Sequence, residues 1–266
     1  MSFQLSGSIA VALYCCAALY QGTQLLKNLP LSNRHLQAIA SVALIFHGIA
    51  AHTRIFAAHG LDLSFFSIFI GTVFVINLVI LLSSFRKPVF SMFLLMFALA
   101  IIALGSGLLA QPHPGSHASV PLSIASHIIS SILAYSLLTI ATFQALVLAL
   151  QNWMLRHKHI GKSLESMPPL EVTESLLFEF IWAGFILLTV SLVTGLLFLE
   201  NIFTQHLSHK MALSFLGWAF YATLLWGHHA KGWRGNTAVK WALWGFLALL
   251  VGYWGSKLVL EFILAS

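Results

Sequence analysis

Apolar runs near twenty residues, separated by short polar breaks, organise this chain from end to end. A helix rises about 1.5 Å per residue, so such runs cross a hydrocarbon core of roughly 30 Å. They predict eight helices, at about 4–26, 35–53, 62–84, 88–110, 121–150, 175–199, 210–229 and 238–263. The breaks carry turn chemistry: Asn28 to Asn33 around Pro30, Arg86-Lys87-Pro88, Gln111 to Gly115 around Pro112 and Pro114, and Gly232-Trp233-Arg234-Gly235-Asn236. The fifth run is longer than the hydrocarbon thickness and so extends beyond it or tilts.

Composition turns this pattern into a class. Of 266 residues, 59% are hydrophobic and only 8% charged, against roughly 25% charged in a soluble domain, so no water-facing surface can be assembled. The reading is all-α: a polytopic membrane protein of about eight transmembrane helices in one integral membrane domain over 1–266, with the lipid bilayer as its solvent. A net charge of +6 would point to nucleic acid in a soluble chain. Here Lys27, Arg34, Arg86, Lys87, Arg156, Lys158, Lys162, Lys231, Arg234 and Lys240 all fall beside alternate loops, and only Arg54, Lys210 and Lys257 lie on the other side. That is the positive-inside distribution. It puts both termini outside the cytoplasm and leaves no nucleic-acid partner.

The remaining segments add little beyond this. The stretch at about 151–174, with Glu165, Glu171 and Glu174, reads as a short solvated cytoplasmic linker. Met1 to Leu5 supply no basic residues ahead of the first run, which predicts a retained helix rather than a cleaved signal peptide. Cys15 and Cys16 are neighbours on one helix, badly placed to bridge each other, and read as core or lipid-facing residues. Without Cys-x-x-Cys-His the chain carries no covalently attached haem. No Ser-His-Asp order with a local signature, no Gly-rich phosphate loop and no His-Glu-x-x-His helix point to an enzyme.

Histidine is where chemistry concentrates, with thirteen imidazoles against seven acidic residues. A neutral imidazole is cheaper to hold in lipid than a charged group and is the commonest protein ligand for haem iron. His47 and His127 sit well inside apolar runs, each about six residues from the outer end of its span, or roughly 9 Å deep. Imidazoles at one depth on separate helices can ligate one iron from opposite sides. His228 and His229 end the seventh span at the cytoplasmic side, level with His35, where a second, inner site would lie. The plainer reading of a lone intramembrane histidine is a hydrogen bond between helices. For His35, His113, His117, His157, His159, His206 and His209, all near interfaces, it is a solvated loop residue. Arg54, Lys210 and Lys257 run against the charge bias near the outer face, where they suit haem propionates or lipid phosphate.

Several local patterns point the same way. They are Gly184-Phe185 with Leu188-Thr189 and Gly195; Lys210 with Trp218; Gly232-Trp233-Arg234-Gly235 with Gly245-Phe246 and Gly255; His127 with Tyr135; and His228. Together they resemble the cytochrome c assembly proteins, the haem-handling membrane proteins represented by CcsA and CcmC, and most nearly the HemX-like and YpjD-like branch. The likeness covers residues 120–258 well and 47–67 loosely, within a family-like core of about 40–260. It implies haem b held non-covalently, with His127 as the outer iron ligand and His47 its partner by depth. His228 would mark an inner site, and Trp218, Arg54 and Lys210 would lie at the cofactor. Other cytochrome c or haem biogenesis membrane proteins would be partners. The family's Trp-Gly-x-x-Trp-x-Trp-Asp-type external segment is replaced here by Asn201 to Lys210, with no Trp and no Asp. The resemblance therefore implies a haem carrier, sensor or accessory factor in haem delivery rather than the ligating enzyme.

Two other classes stay open at this point. One is a proton-coupled small-solute transporter or channel, although Glu179, Glu200 and Glu261 all lie toward span ends. The other is a regulatory membrane scaffold with a degenerate haem site.

Overall fold

A computed structural model describes residues 1–26, 33–57, 60–110, 117–118, 121–157, 167–198 and 208–255. Lys27, His59, His113, Lys158, His159, Lys162, Glu165, Glu200, His206, Lys257 and Glu261 lie outside the described residues, as does most of the Asn201 to Lys210 segment. The protein is all-α and polytopic. Its helices are α1 (Phe3–Leu26), α2 (Asn33–Ile55), α3 (Phe65–Ser84), α4 (Phe93–Leu109), α5 (Leu122–Arg156), α6 (Leu170–Phe198), α7 (Ser208–Lys231) and α8 (Gly235–Leu250). Among the described residues seven helical stretches are long and apolar enough to cross a membrane. The expected seventh span, 210–229, is present as α7 but is not among them, because Lys210, His228, His229 and Lys231 dilute its apolar run. Helix α5 runs for 35 residues, about 52 Å at a helical rise, so it does exceed the hydrocarbon thickness.

The contacts divide the chain into two compact units, one of residues 1–120 with 160–168, the other of 121–159 with 169–266. In the first, α1 packs on α2 and α4, and α3 packs on α2 and α4, which closes a ring of four helices. Small residues allow that approach: Ala10 and Ala17 of α1, Ala40, Ala43 and Ala50 of α2, and Ala100 and Ala103 of α4 are all buried. Gln21 Nε2 donates to the Phe90 carbonyl at 2.8 Å. A three-stranded antiparallel sheet of β1 (Phe56–Ala57), β2 (Gly60–Asp62) and β3 (His117–Ala118) also belongs to this unit. Leu61 stands opposite both Phe56 and Ala118, and Asp62 opposite His117. Helix α3 begins after Asp62 because that carboxylate accepts the Ser64 amide at 2.9 Å and the Ser67 hydroxyl at 2.7 Å, holding the chain in a turn.

The second unit is likewise a ring, in which α5 packs on α6 and α8, and α7 packs on α6 and α8. The α5–α6 pair is pulled tight at Gly184, where a side chain would collide with Leu138. Gln144 Nε2 on α5 donates to the Thr173 carbonyl on α6 at 3.1 Å. At its far end α8 widens into a π-helical turn, Val251–Gly255. Just before it the Leu249 carbonyl accepts the Tyr135 hydroxyl at 2.7 Å.

Candidate functional site

His127 lies in the second turn of α5, half-buried. Its Nδ1 is 2.8 Å from the Ser191 carbonyl on α6. A carbonyl only accepts, so Nδ1 carries the proton and Nε2 carries the lone pair. Among the described residues Nε2 has no hydrogen-bond partner. A ring held through Nδ1–H with a basic Nε2 is the arrangement in which histidine ligates a metal. Two serines hold the setting rigid: the Ser131 hydroxyl donates to the His127 carbonyl at 2.7 Å and lies 2.6 Å from the Ser191 hydroxyl. The opposite side of α6 is tied to α7, where Trp218 Nε1 donates to the Thr189 hydroxyl at 2.9 Å and its ring stacks on Phe185 at 5.4 Å. Thr189 and Ser191 are two positions apart, about 200° around a helix, so Trp218 and His127 brace the same stretch of α6 from either side. Lys210, half-buried, sits in the first turn of α7.

His228, near the other end of α7, repeats the tautomer logic with different partners. Its Nδ1–H donates to the Trp233 carbonyl at 2.8 Å, and its ring stacks on Phe178 at 3.6 Å. The acceptor is in place because α7 ends in a tight left-handed turn. Gly232 has φ +64°, its amide bonds to the His228 carbonyl, and the Trp233 amide reaches back to the Gly227 carbonyl at 3.1 Å. The Trp233 indole fills the space where a side chain at Gly227 would stand. Eighteen residues separate Lys210 from His228, about 27 Å along a helix, so those two cannot serve one porphyrin.

His47 and Arg54 belong to the first unit. His47 is fully buried on α2, and both of its nitrogens are engaged. Nε2 lies 3.2 Å from the Ile70 carbonyl and must donate to it, while Nδ1 lies 3.3 Å from the Tyr14 hydroxyl and accepts from it. Tyr14 and Phe74 approach the ring edge-on at 5.8 and 5.7 Å. This is a hydrogen bond between helices. A ring so engaged has to give up a bond before it can ligate anything, and it belongs to a different unit from His127. The Arg54 guanidinium lies over the Phe3 ring at 5.1 Å, and its buried Nε has no hydrogen-bond partner among the described residues. That orphaned donor suits an anionic oxygen.

Among the described residues no group of three or more His, Cys, Asp or Glu side chains is placed to hold a metal ion. What the second unit offers is single imidazole ligands, the chemistry of a haem axial position. Tyr14, Phe178, Ser131 and Ser191 were not singled out in the sequence. Only Ser130-Ser131, one turn beyond His127, carries a local hint of their role.

Comparison with known proteins agrees with this picture. The sequence model of the family described as Cytochrome C assembly protein matches residues 35–264. Inner membrane protein YpjD of Escherichia coli (strain K12) is 31% identical over 226 residues, covering 84% of this chain and 86% of that protein. Cytochrome c biogenesis protein CcsA of Prochlorococcus marinus (strain MIT 9515) is 30% identical over 146 residues, covering 51% of this chain and 47% of that protein. No solved structure matches the chain significantly.

Proposed function

Because the chain belongs to the Cytochrome C assembly protein family, we propose that it is a haem-binding multi-pass protein of the bacterial inner membrane that acts as a carrier, sensor or accessory factor in haem delivery. The observation that carries this reading is the fixed tautomer of His127, with Nδ1 bound to the Ser191 carbonyl and Nε2 open. His127 would hold non-covalent haem b through Nε2, and His228, set up the same way, would hold it at an inner site. Haem would supply an iron that accepts imidazole nitrogen. The protein's own part is to hold the two rings aimed. Lys210, in the same unit as His127, would meet a propionate through a charge-assisted hydrogen bond. The charge pattern of the loops supports both termini outside the cytoplasm. Membrane proteins of cytochrome c or haem biogenesis are the partners this reading implies.

The test is an absorption spectrum of the detergent-purified protein after haem addition, with and without dithionite. A Soret band and a reduced α-band that weaken in His127→Ala and disappear when His228→Ala is added support the proposal. No Soret band in the wild type, or one indifferent to His127→Ala, removes it.

A second reading draws on the first unit, where the buried Tyr14–His47–Ile70 chain of hydrogen bonds is a possible element of a proton path, as a proton-coupled transporter would need. Proton flux in proteoliposomes that collapses in His47→Gln would favour it over haem handling.

A further inference from the structure

Beside the turn that fixes His228, the α7–α8 connection carries a cluster of cations and indoles. Lys231, Arg234 and Lys240 are all exposed, and among the described residues no carboxylate pairs with any of them. The Lys231 ammonium is held in place by two rings, 5.0 Å from the centre of Trp226 and 5.9 Å from that of Trp233. Trp233 is itself fixed, seated on Gly227 and stacked on Trp241 at 5.4 Å with planes 26° apart. Trp226 and Trp244 are 57% and 58% exposed, large indoles turned away from the unit. Lys240 and Trp244 stand four residues apart on α8 and share its exposed face. Trp226 lies five residues before Lys231, so along both helices the indole sits deeper in the bilayer than the end of the helix hairpin where Lys231 and Arg234 stand.

We propose that this turn is a binding site for the phosphodiester headgroup of an anionic phospholipid. The three exposed cations attract its single negative charge. The indoles occupy the boundary between headgroup and acyl chain, where tryptophan is favoured, and the Lys240 stem extends along the apolar surface to bring its ammonium to the same level. Because Lys231 is clamped between rings, little rotamer freedom is lost when the phosphate arrives. The binding is electrostatic and carries a preference for anionic over zwitterionic lipid. Each cation near a membrane surface contributes about a fivefold preference.

The experiment places the full-length protein in nanodiscs of mixed phosphatidylglycerol and phosphatidylcholine and counts retained lipids by native mass spectrometry. Wild type should retain phosphatidylglycerol preferentially. The triple variant Lys231→Gln, Arg234→Gln, Lys240→Gln should lose that preference by about a hundredfold, with its helical circular dichroism unchanged. A charge-matched control, Arg34→Gln with Arg86→Gln and Arg156→Gln, removes three other exposed cations and should keep the preference. Equal retention of the two lipids by wild type, an equal loss in the control, or release of the lipid by millimolar inorganic phosphate would each overturn the proposal. A triple variant that no longer gave a helical spectrum is replaced by Trp226→Leu, in which loss of the clamp on Lys231 should lower the preference about two- to fivefold; no change there would also overturn it.

Discussion

His47 and His127 enter the argument as equals, each about six residues inside a span, and the folded chain treats them differently. In the first unit, His47 is fully buried between a donor and an acceptor: the Tyr14 hydroxyl takes its lone pair and the Ile70 carbonyl takes its proton. In the second unit, His127 meets only an acceptor among the described residues, the Ser191 carbonyl. One ring is therefore saturated and the other is left with a basic nitrogen. Depth in the bilayer governs the cost of protonating an imidazole, but the neighbours decide whether it can ligate. A hydroxyl that can turn its proton toward the ring removes a ligand, whereas a backbone carbonyl prepares one.

The widest separation between the two histidines should appear in haem affinity. Second-sphere partners of a metal ligand are worth about 10–100-fold, so His127→Ala should weaken haem binding by at least the upper end of that range, measured by titration of the Soret band. His47→Ala should leave it unchanged. Haem binding that depended equally on both would break the comparison.

Whether His228 belongs with His127 is decided at Gly227. An alanine there drives its methyl group into the Trp233 indole, and overpacking of this kind costs roughly 1–3 kcal/mol. Gly227→Ala should lower resistance to unfolding in mixed micelles by about that much. It should also alter the tryptophan emission as the indole is displaced, taking with it the carbonyl that fixes His228. If the emission is unmoved, that carbonyl is not anchored by the turn.

His47→Ala tests the other side. It strands the Tyr14 hydroxyl and removes the extra bond to the Ile70 carbonyl, and two lost interhelical hydrogen bonds amount to about 1–2 kcal/mol in a membrane protein. The loss should register in mixed-micelle unfolding with no change in the Soret band. A variant as stable as wild type would mean that the pair does not hold α1 and α2 to α3.

How much of this the sequence shows depends on the range of the interaction. Long apolar runs locate α1 to α6 within a few residues, since burial in lipid is decided segment by segment. The start of α3 is displaced from 62 to 65 by one local carboxylate, Asp62. Gly232 and Gly235 read as breaks in the pattern and both have positive φ. The hydrogen bonds that separate His127 from His47 are of another kind. Ser191 stands 64 residues from His127 and Tyr14 stands 33 from His47, and no spacing rule connects such pairs. The donor or acceptor character of a distant neighbour is a property of helix packing, so residue type and depth alone could nominate both histidines but not tell them apart.

The smallest expected effect is also the most direct test of that distinction. Tyr14→Phe deletes one hydroxyl and keeps the ring, with its contacts to His47 and to Phe97 at 5.6 Å. His47 then retains its bond to Ile70 and is left with an unpartnered nitrogen, the hydrogen-bond condition of His127. One interhelical hydrogen bond of this type is worth about 0.6 kcal/mol, and mixed-micelle unfolding should shift by that amount. The new lone pair remains buried among Phe74, Phe97 and the small residues of α2, without room for a porphyrin. Haem stoichiometry should therefore stay at the wild-type value. If Tyr14→Phe instead creates additional Soret absorbance that His47→Ala then removes, a free nitrogen is sufficient and burial is not what separates the two sites. If stability and spectrum are both unchanged, the Tyr14 hydroxyl does not occupy the His47 lone pair, and the contrast has to rest on burial alone.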